Sequence, residues 1–560
     1  MVSEVVAATA GKDSSMIDVV NQLKRTPAIL AQMKVDSVLS RIWSHDHTVW
    51  SGRPTEITNR LGWLHLPETM PKKLDRIGRF VEGVCEDGFR HVLLLGMGGS
   101  SLAPETFSGT FGNASGHPAL LVLDSTHPDA VGRIEQEVDL TKTLFVVATK
   151  SGTTTETLSL FRYFYNRVMA SGASAPGRQF AAITDPGSPL IDVASRHGFR
   201  ETFESDPNLG GRYSALSHFG LVPASLLGID VPELLRRAQE VSRACASEAD
   251  LEKNPAASLG AFLGAAAKEG RDKVTFILSD KVSSIGNWVE QMLAESTGKD
   301  RTGLVPVVGE PVGSPDVYGT DRVFVHLRLA RDAAQDPAVE ELARVGHPVA
   351  RMDLLDRCAL GEQFFLWELA TAIAGHILRI NPFDQPNVEA AKVLAREMVS
   401  EYQRTGSLRK VTTEDPTADV VHRLLDAANV GDYVALQAYL PPRKEVVDAL
   451  RAVRTAIRDE RKMATTAGFG PRFLHSTGQL HKGDRGNGLF IQFIADPERD
   501  VPIPNEAGEE ASALTFGTLI AAQAGGDRQA LVDAGRRVIT LRLRRGQTVV
   551  QLQELAQGLS

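Results

Sequence analysis

Short apolar runs alternate with segments of helical period from residue 91 onward. HVLLLGM (91–97), ALLVLDS (119–125), LFVVATK (144–150) and QFAAITD (179–185) have the length and composition of buried strands. Between them, 128–138 and 154–170 carry apolar residues at helical spacing. Strand, crossover helix and strand in succession predict a parallel α/β sheet, placed at 61–245. A second series, KVTFILSD (273–280), RVFVHLRL (322–329) and HPVARMDL (347–354), is interleaved with helices over 284–298, 336–345 and 360–379 and predicts another such unit at 246–430. Residues 1–60 read as a helical lead-in, because Val19, Leu23, Ile29, Leu30, Met33 and Leu39 recur roughly at helical intervals. Residues 431–560 hold YVALQAYL, LFIQFIAD and RRVITLRL with a charged helix over 444–462, and read as a C-terminal α/β extension. No long Gly/Ser linker separates the units, so they are expected to dock on one another.

Composition narrows what such a chain can do. Hydrophobic residues at 42% and charged residues at 23% are those of a globular protein, which excludes disorder. With 61 Lys and Arg against 69 Asp and Glu the net charge is −8, which argues against nucleic-acid or anionic-membrane partners. The three cysteines, Cys85, Cys245 and Cys358, have neither disulfide nor metal-ligand spacing, and His45 and His47 have no accompanying ligand cluster. No apolar run approaches the roughly 18 to 20 residues that span a bilayer. The expectation is a soluble cytoplasmic protein without a metal.

Two strand-to-helix turns carry the first candidate chemistry. Gly96-Met97-Gly98-Gly99-Ser100-Ser101 offers flexible backbone N–H groups and hydroxyls at a helix start. Asp124, ending the next strand, suits a dinucleotide site, but the spacing is not G-x-G-x-x-G and the hydroxyls favour a phosphate monoester. Thr149-Lys150-Ser151-Gly152-Thr153-Thr154-Thr155-Glu156 adds a lysine and more hydroxyls before a second helix. Thr153 and Glu156 also fit a capping box. Neighbouring parallel strands that both end in such turns favour a phosphosugar pocket at the strand C-termini. Further along, Arg212 sits in GGRYS, Glu295 late in an apolar helix within ESTGK, and Gln385 and Lys392 in FDQPNVEAAK.

GMGGSS, TKSGTTTET, GGRYS, ESTGK and FDQPNVEAAK, in this order and spacing, resemble the glucose-6-phosphate isomerase family, whose two sugar-isomerase (SIS) domains match the two α/β series. With AYLPP at 438–442 and GPRFLHSTGQLHKG at 470–483, the chain looks most like the isomerase half of bacterial transaldolase/isomerase fusions. The roughly 60 residues before the first unit are too few for a β/α barrel of about 250. The resemblance implies two SIS-type parallel-sheet α/β sandwiches and aldose to ketose isomerisation of glucose 6-phosphate without a cofactor, with a homodimer as the family expectation. It implies Glu295 as the base moving a proton between C2 and C1, Arg212 as the group steadying the enediolate, and Gln385 and Lys392 in the active-site wall. Gly99, Ser100, Ser101, Thr149, Lys150, Ser151, Gly152, Thr153 and Thr154 would hold the phosphate.

Two departures from the family pattern stand out. Pro386-Asn387 replaces a glycine, and the stretch Gly313 to Arg322 lacks the family's ring-opening histidine. His326 lies in an apparent strand and reads as structural. His475 and His481 are therefore the candidates for opening the sugar ring, against packing between domains with water and Lys392 opening it. A non-catalytic SIS module that senses a phosphosugar is the alternative from another class; it would have no use for Glu295, Arg212 and Lys392 together. An isomerase that also accepts mannose 6-phosphate is a second alternative.

Overall fold

The computed structural model describes residues 16–560. The first sheet runs, in spatial order, Ala119–Leu123, His91–Gly96, Thr143–Ala148, Phe180–Thr184 and Glu201–Glu204, all parallel. Its central strands are buried on both faces, which is why they read as unbroken apolar runs rather than alternating ones. Gly96 pairs with Ala148, so the turns that follow these two strands emerge side by side.

The second sheet orders Asp18–Val20, Val349–Leu354, Arg322–Leu329, Lys273–Leu278 and Val305–Val307. All pairs are parallel except the first, where Asp18–Val20 adds an antiparallel edge strand. The lead-in is thus not wholly helical. Helices Thr26–Val35 and Val38–Trp43 follow a three-residue strand that pairs with Val349–Leu354 and leaves only a short outer edge. Helix Leu360–Leu378, apolar nearly all round, is sandwiched between Val231–Cys245 and Pro255–Lys268 in a core that runs continuously from the first sheet to the second.

The C-terminal unit is a four-stranded parallel sheet, Ala464–Phe469, Tyr433–Tyr439, Gly488–Ala495 and Arg537–Leu543, with its own apolar core. It docks on the second unit through Tyr433, Ala464, Leu480 and Phe490 against Ala294, Val305 and Val307. The turn after its strand Ala464–Phe469, carrying the short helical segment Arg472–His475, reaches the first unit. No helix among the described residues is long and apolar enough to cross a membrane.

Candidate active site

A cavity of about 440 Å³ opens at the C-terminal ends of the first sheet's central strands and extends to the second unit and the C-terminal unit. One wall is the pair of turns singled out in the sequence. Gly98 has φ +55°, and a Cβ on Gly99 would lie 1.9 Å from the Gly211 carbonyl oxygen, so only glycine lets the first turn approach the GGR segment. Gly99, Ser100, Thr149, Lys150, Ser151 and Thr154 line the cavity. The Thr149 and Thr154 hydroxyls lie 2.8 Å apart, and Thr154 precedes helix Thr155–Ala170 without capping it through its side chain, leaving first-turn N–H groups for an anion.

Three of the expected cradle residues stand off the cavity. Ser101 is wholly buried and donates to Gly98 O and to Asp124. Gly152, with φ +70°, shapes the turn, and exposed Thr153 pairs with the Ser151 hydroxyl at 2.9 Å. Lys150 is already ion-paired with Asp185, whose carboxyl burial pushes upward against the opposing pull of that lysine.

Across the cavity, the Glu295 carboxylate sits between two donors. Arg212 Nη1 lies 3.1 Å from one oxygen, and Gln291 Nε2, one helical turn earlier, donates to the other at 2.9 Å. Arg212 is 2% exposed. Its other bonds run to Ser296 Oγ (2.8 Å), Gln385 Oε1 (3.1 Å), Pro382 O (2.6 Å) and Asp384 O (2.9 Å). Four of its five N–H donors are engaged in this way, and Nη1 is also ion-paired with Glu295; the arginine offers the cavity its charge in a fixed geometry. Lys299 anchors the same loop from behind, 2.7 Å from Asp384 Oδ1, and burial lowers its ammonium to about 8.

Gln385 and Lys392 both line the cavity. The Pro386-Asn387 departure is held in place by the C-terminal unit: Asn387 N–H donates to Gln479 Oε1 at 2.8 Å, and Gln479 Nε2 donates back to Asn387 Oδ1 at 2.7 Å. The two histidine candidates separate. His475 lines the cavity, its Nε2 3.0 Å from Glu156 Oε1. His481 does not line it: it lies buried between Phe473 and Phe490, with Nδ1 3.2 Å from Gln437 Nε2, and burial holds its imidazole well below the usual range. His326 is buried in its strand, away from the cavity.

Glu156, Gln291, Asp185 and Arg60 belong to this neighbourhood and were not singled out for it by sequence. Glu156 is 7% exposed. Burial alone would raise its carboxyl, but the charge and hydrogen bond of His475 outweigh that and hold it below the ordinary value. Gln291 had one legible signal, its place four residues before Glu295 on the same helix face.

Residues 72–311 match the family model described as Phosphoglucose isomerase. Among curated proteins, the chain is 28% identical over 352 residues to a probable glucose-6-phosphate isomerase of Methanococcus maripaludis, covering 56% of this chain and 79% of that protein. It is 29% identical over 385 residues to the glucose-6-phosphate isomerase of Thermus thermophilus, covering 61% and 90%. Of solved structures, a hypothetical protein from Thermus thermophilus superposes with a TM-score of 0.60 at 25% identity, covering 68% of this chain and 99% of that one. A glucose-6-phosphate isomerase from Chlamydia trachomatis shares the fold, with a TM-score of 0.59 at 18% identity over 72% of this chain and 89% of that one.

Proposed function

We propose, because the chain belongs to the glucose-6-phosphate isomerase family, that it interconverts D-glucose 6-phosphate and D-fructose 6-phosphate by proton transfer through an enediolate. The observation that carries this reading is the placement of Glu295. It is a carboxylate fixed by Arg212 and Gln291 on the wall facing an anion cradle, within one cavity large enough for a phosphorylated hexose. The phosphate sits among Ser100, Thr149, Lys150, Ser151 and Thr154 and the N–H groups of helix Thr155–Ala170.

With the phosphate so held, Glu295 takes the proton from C2 and returns it to C1, and the Arg212 charge lowers the energy of the developing oxyanion. Before that step the ring must open, which needs a donor at the ring oxygen and an acceptor at O1. His475 and Lys392 are the cavity groups suited to moving those protons, with Glu156 accepting from His475 Nε2–H and leaving Nδ1 for the substrate. We place the enzyme in the cytoplasm and expect a homodimer, which light scattering of the purified protein checks.

The test is an assay of the purified chain with fructose 6-phosphate, coupling formed glucose 6-phosphate to a dehydrogenase, with mannose 6-phosphate run in parallel. Turnover of the first substrate supports the reading, and turnover of both broadens it to the second sugar. Binding of either phosphosugar without turnover replaces it with a sensing module.

A further inference from the structure

The turn that delivers His475 separates two cavities. Leu474 and His475 face the catalytic one, whereas Arg472, Phe473 and Ser476 face a second, of about 430 Å³, between the first, second and C-terminal units. On that second side Arg472 meets two carboxylates of the first unit. Its Nη1 lies 2.8 Å from Glu105 Oε1 and 3.4 Å from Asp124 Oδ2, and Nη2 pairs with the other Glu105 oxygen.

Both carboxylates are tied to the phosphate loop, one through its helix and one through a hydrogen bond. Glu105 lies in the first turn of helix Leu102–Phe111, which leaves that loop, and Asp124 accepts from Ser101 of the loop at 3.2 Å. Burial pushes the Asp124 carboxyl upward, while the Arg472 charge and hydrogen bonds overcome the same burial at Glu105 and hold it down. Two further contacts fix the turn near His475: Gln291 Nε2 donates to the His475 carbonyl at 2.8 Å, and Gly98 packs so close that a Cβ there would lie 2.7 Å from that carbonyl. These hold the His475 backbone, and Glu156 holds its imidazole at 3.0 Å; Arg472 ties the start of the same turn to the first unit.

The geometry points to Arg472 as a positioning residue: its clasp on Glu105 and Asp124 holds the His475 turn against the phosphate loop, and so sets where the imidazole stands over the sugar ring. This rests on His475 acting in ring opening. A bidentate guanidinium against paired carboxylates gives a defined orientation that a single ammonium does not.

The test compares Arg472→Gln, Arg472→Lys, Asp124→Asn and His475→Ala on two substrates. One is cyclic glucose 6-phosphate; the other is D-erythrose 4-phosphate, whose O4 is esterified and cannot close a ring, followed as exchange of the C2 proton with solvent. Arg472→Gln should lower kcat on the cyclic substrate by about 10²-fold, as a displacement near 1 Å can, with KM and the exchange rate nearly unchanged. Arg472→Lys should recover part of the loss. Asp124→Asn leaves the Glu105 pair intact, and should show a smaller selective loss even where Arg472→Gln does not fold. Equal effects on both substrates, or none on either, in the variants that fold would overturn the clasp. A His475→Ala variant without a selective loss would instead remove the ring-opening reading beneath it.

Discussion

His475 Nε2 lies 3.0 Å from Glu156 Oε1, joining residues 319 positions apart in sequence. The same oxygen accepts from Gln523 Nε2 at 2.8 Å, and Gln523 Oε1 accepts from the Thr126 hydroxyl at 2.7 Å. A buried carboxylate of the first unit therefore meets two side chains of the C-terminal unit, His475 and Gln523, and Gln523 is in turn tied back to the first unit by Thr126. The C-terminal unit forms part of the cavity wall, and the family model match ends well before it, at residue 311.

His475→Ala should lose activity on cyclic glucose 6-phosphate by up to about 10²- to 10⁴-fold, the usual contribution of a general acid or base. C2 proton exchange on the open-chain substrate should survive. His481→Ala should behave differently: it empties a packed site between Phe473 and Phe490, costing about 2 to 4 kcal/mol of stability without separating the two substrates. Paired kinetics and urea melts distinguish them, and a substrate-selective loss in His481→Ala would reverse the assignment.

Glu295→Gln should keep phosphosugar binding and lose turnover by about 10²- to 10⁴-fold. The amide preserves the side-chain shape between Arg212 and Gln291 but cannot take the C2 proton. Isothermal titration with substrate beside the coupled assay measures both halves. Retained turnover, or lost binding, contradicts the role.

Lys150→Ala and Thr154→Val should weaken glucose 6-phosphate and inorganic phosphate in parallel, since both use one anion site. A lost charge-assisted contact is worth about 1.5 to 3 kcal/mol, roughly 10- to 150-fold in affinity. The lysine change should be the larger, because it also leaves Asp185 unpaired beside the incoming anion. An unchanged phosphate inhibition constant in both variants would move the cradle elsewhere.

The parts of this architecture that were legible in sequence are those with an unambiguous local pattern. Long buried strands and glycine-hydroxyl turns announce themselves, and two such turns, with the GGRYS, ESTGK and FDQPNVEAAK segments, fall around one cavity. What escaped was short or double-meaning. Glu201–Glu204 and Val305–Val307 are edge strands of four and three residues, one mostly polar and the other holding a proline. Ala464–Phe469 is built of small residues and threonines. Glu156 carries the letters of a capping box, yet the helix is capped by no side chain and the carboxylate turns inward to His475. That partner comes from another unit, so no local pattern could have named it.

Glu290 offers a test through pH rather than activity. Among the described residues its carboxyl has no hydrogen bond or ion pair, and it faces the second cavity, where burial raises it to about 7 against the opposing charges of Arg472 and Arg454. An acid whose pKa is higher folded than unfolded binds more protons in the folded state, so stability falls as pH rises between the two values. Glu290 should therefore cost nothing below the ordinary carboxyl value of 4.5 and progressively more up to about 7. At 1.36 kcal/mol per unit the full penalty is about 3 kcal/mol, and less where solvent in the cavity screens the charge. Glu290→Gln should raise the urea midpoint at pH 8 and leave it nearly unchanged at pH 4. An equal difference at both pH values would mean that the carboxyl titrates normally and that packing, not charge, decides the effect.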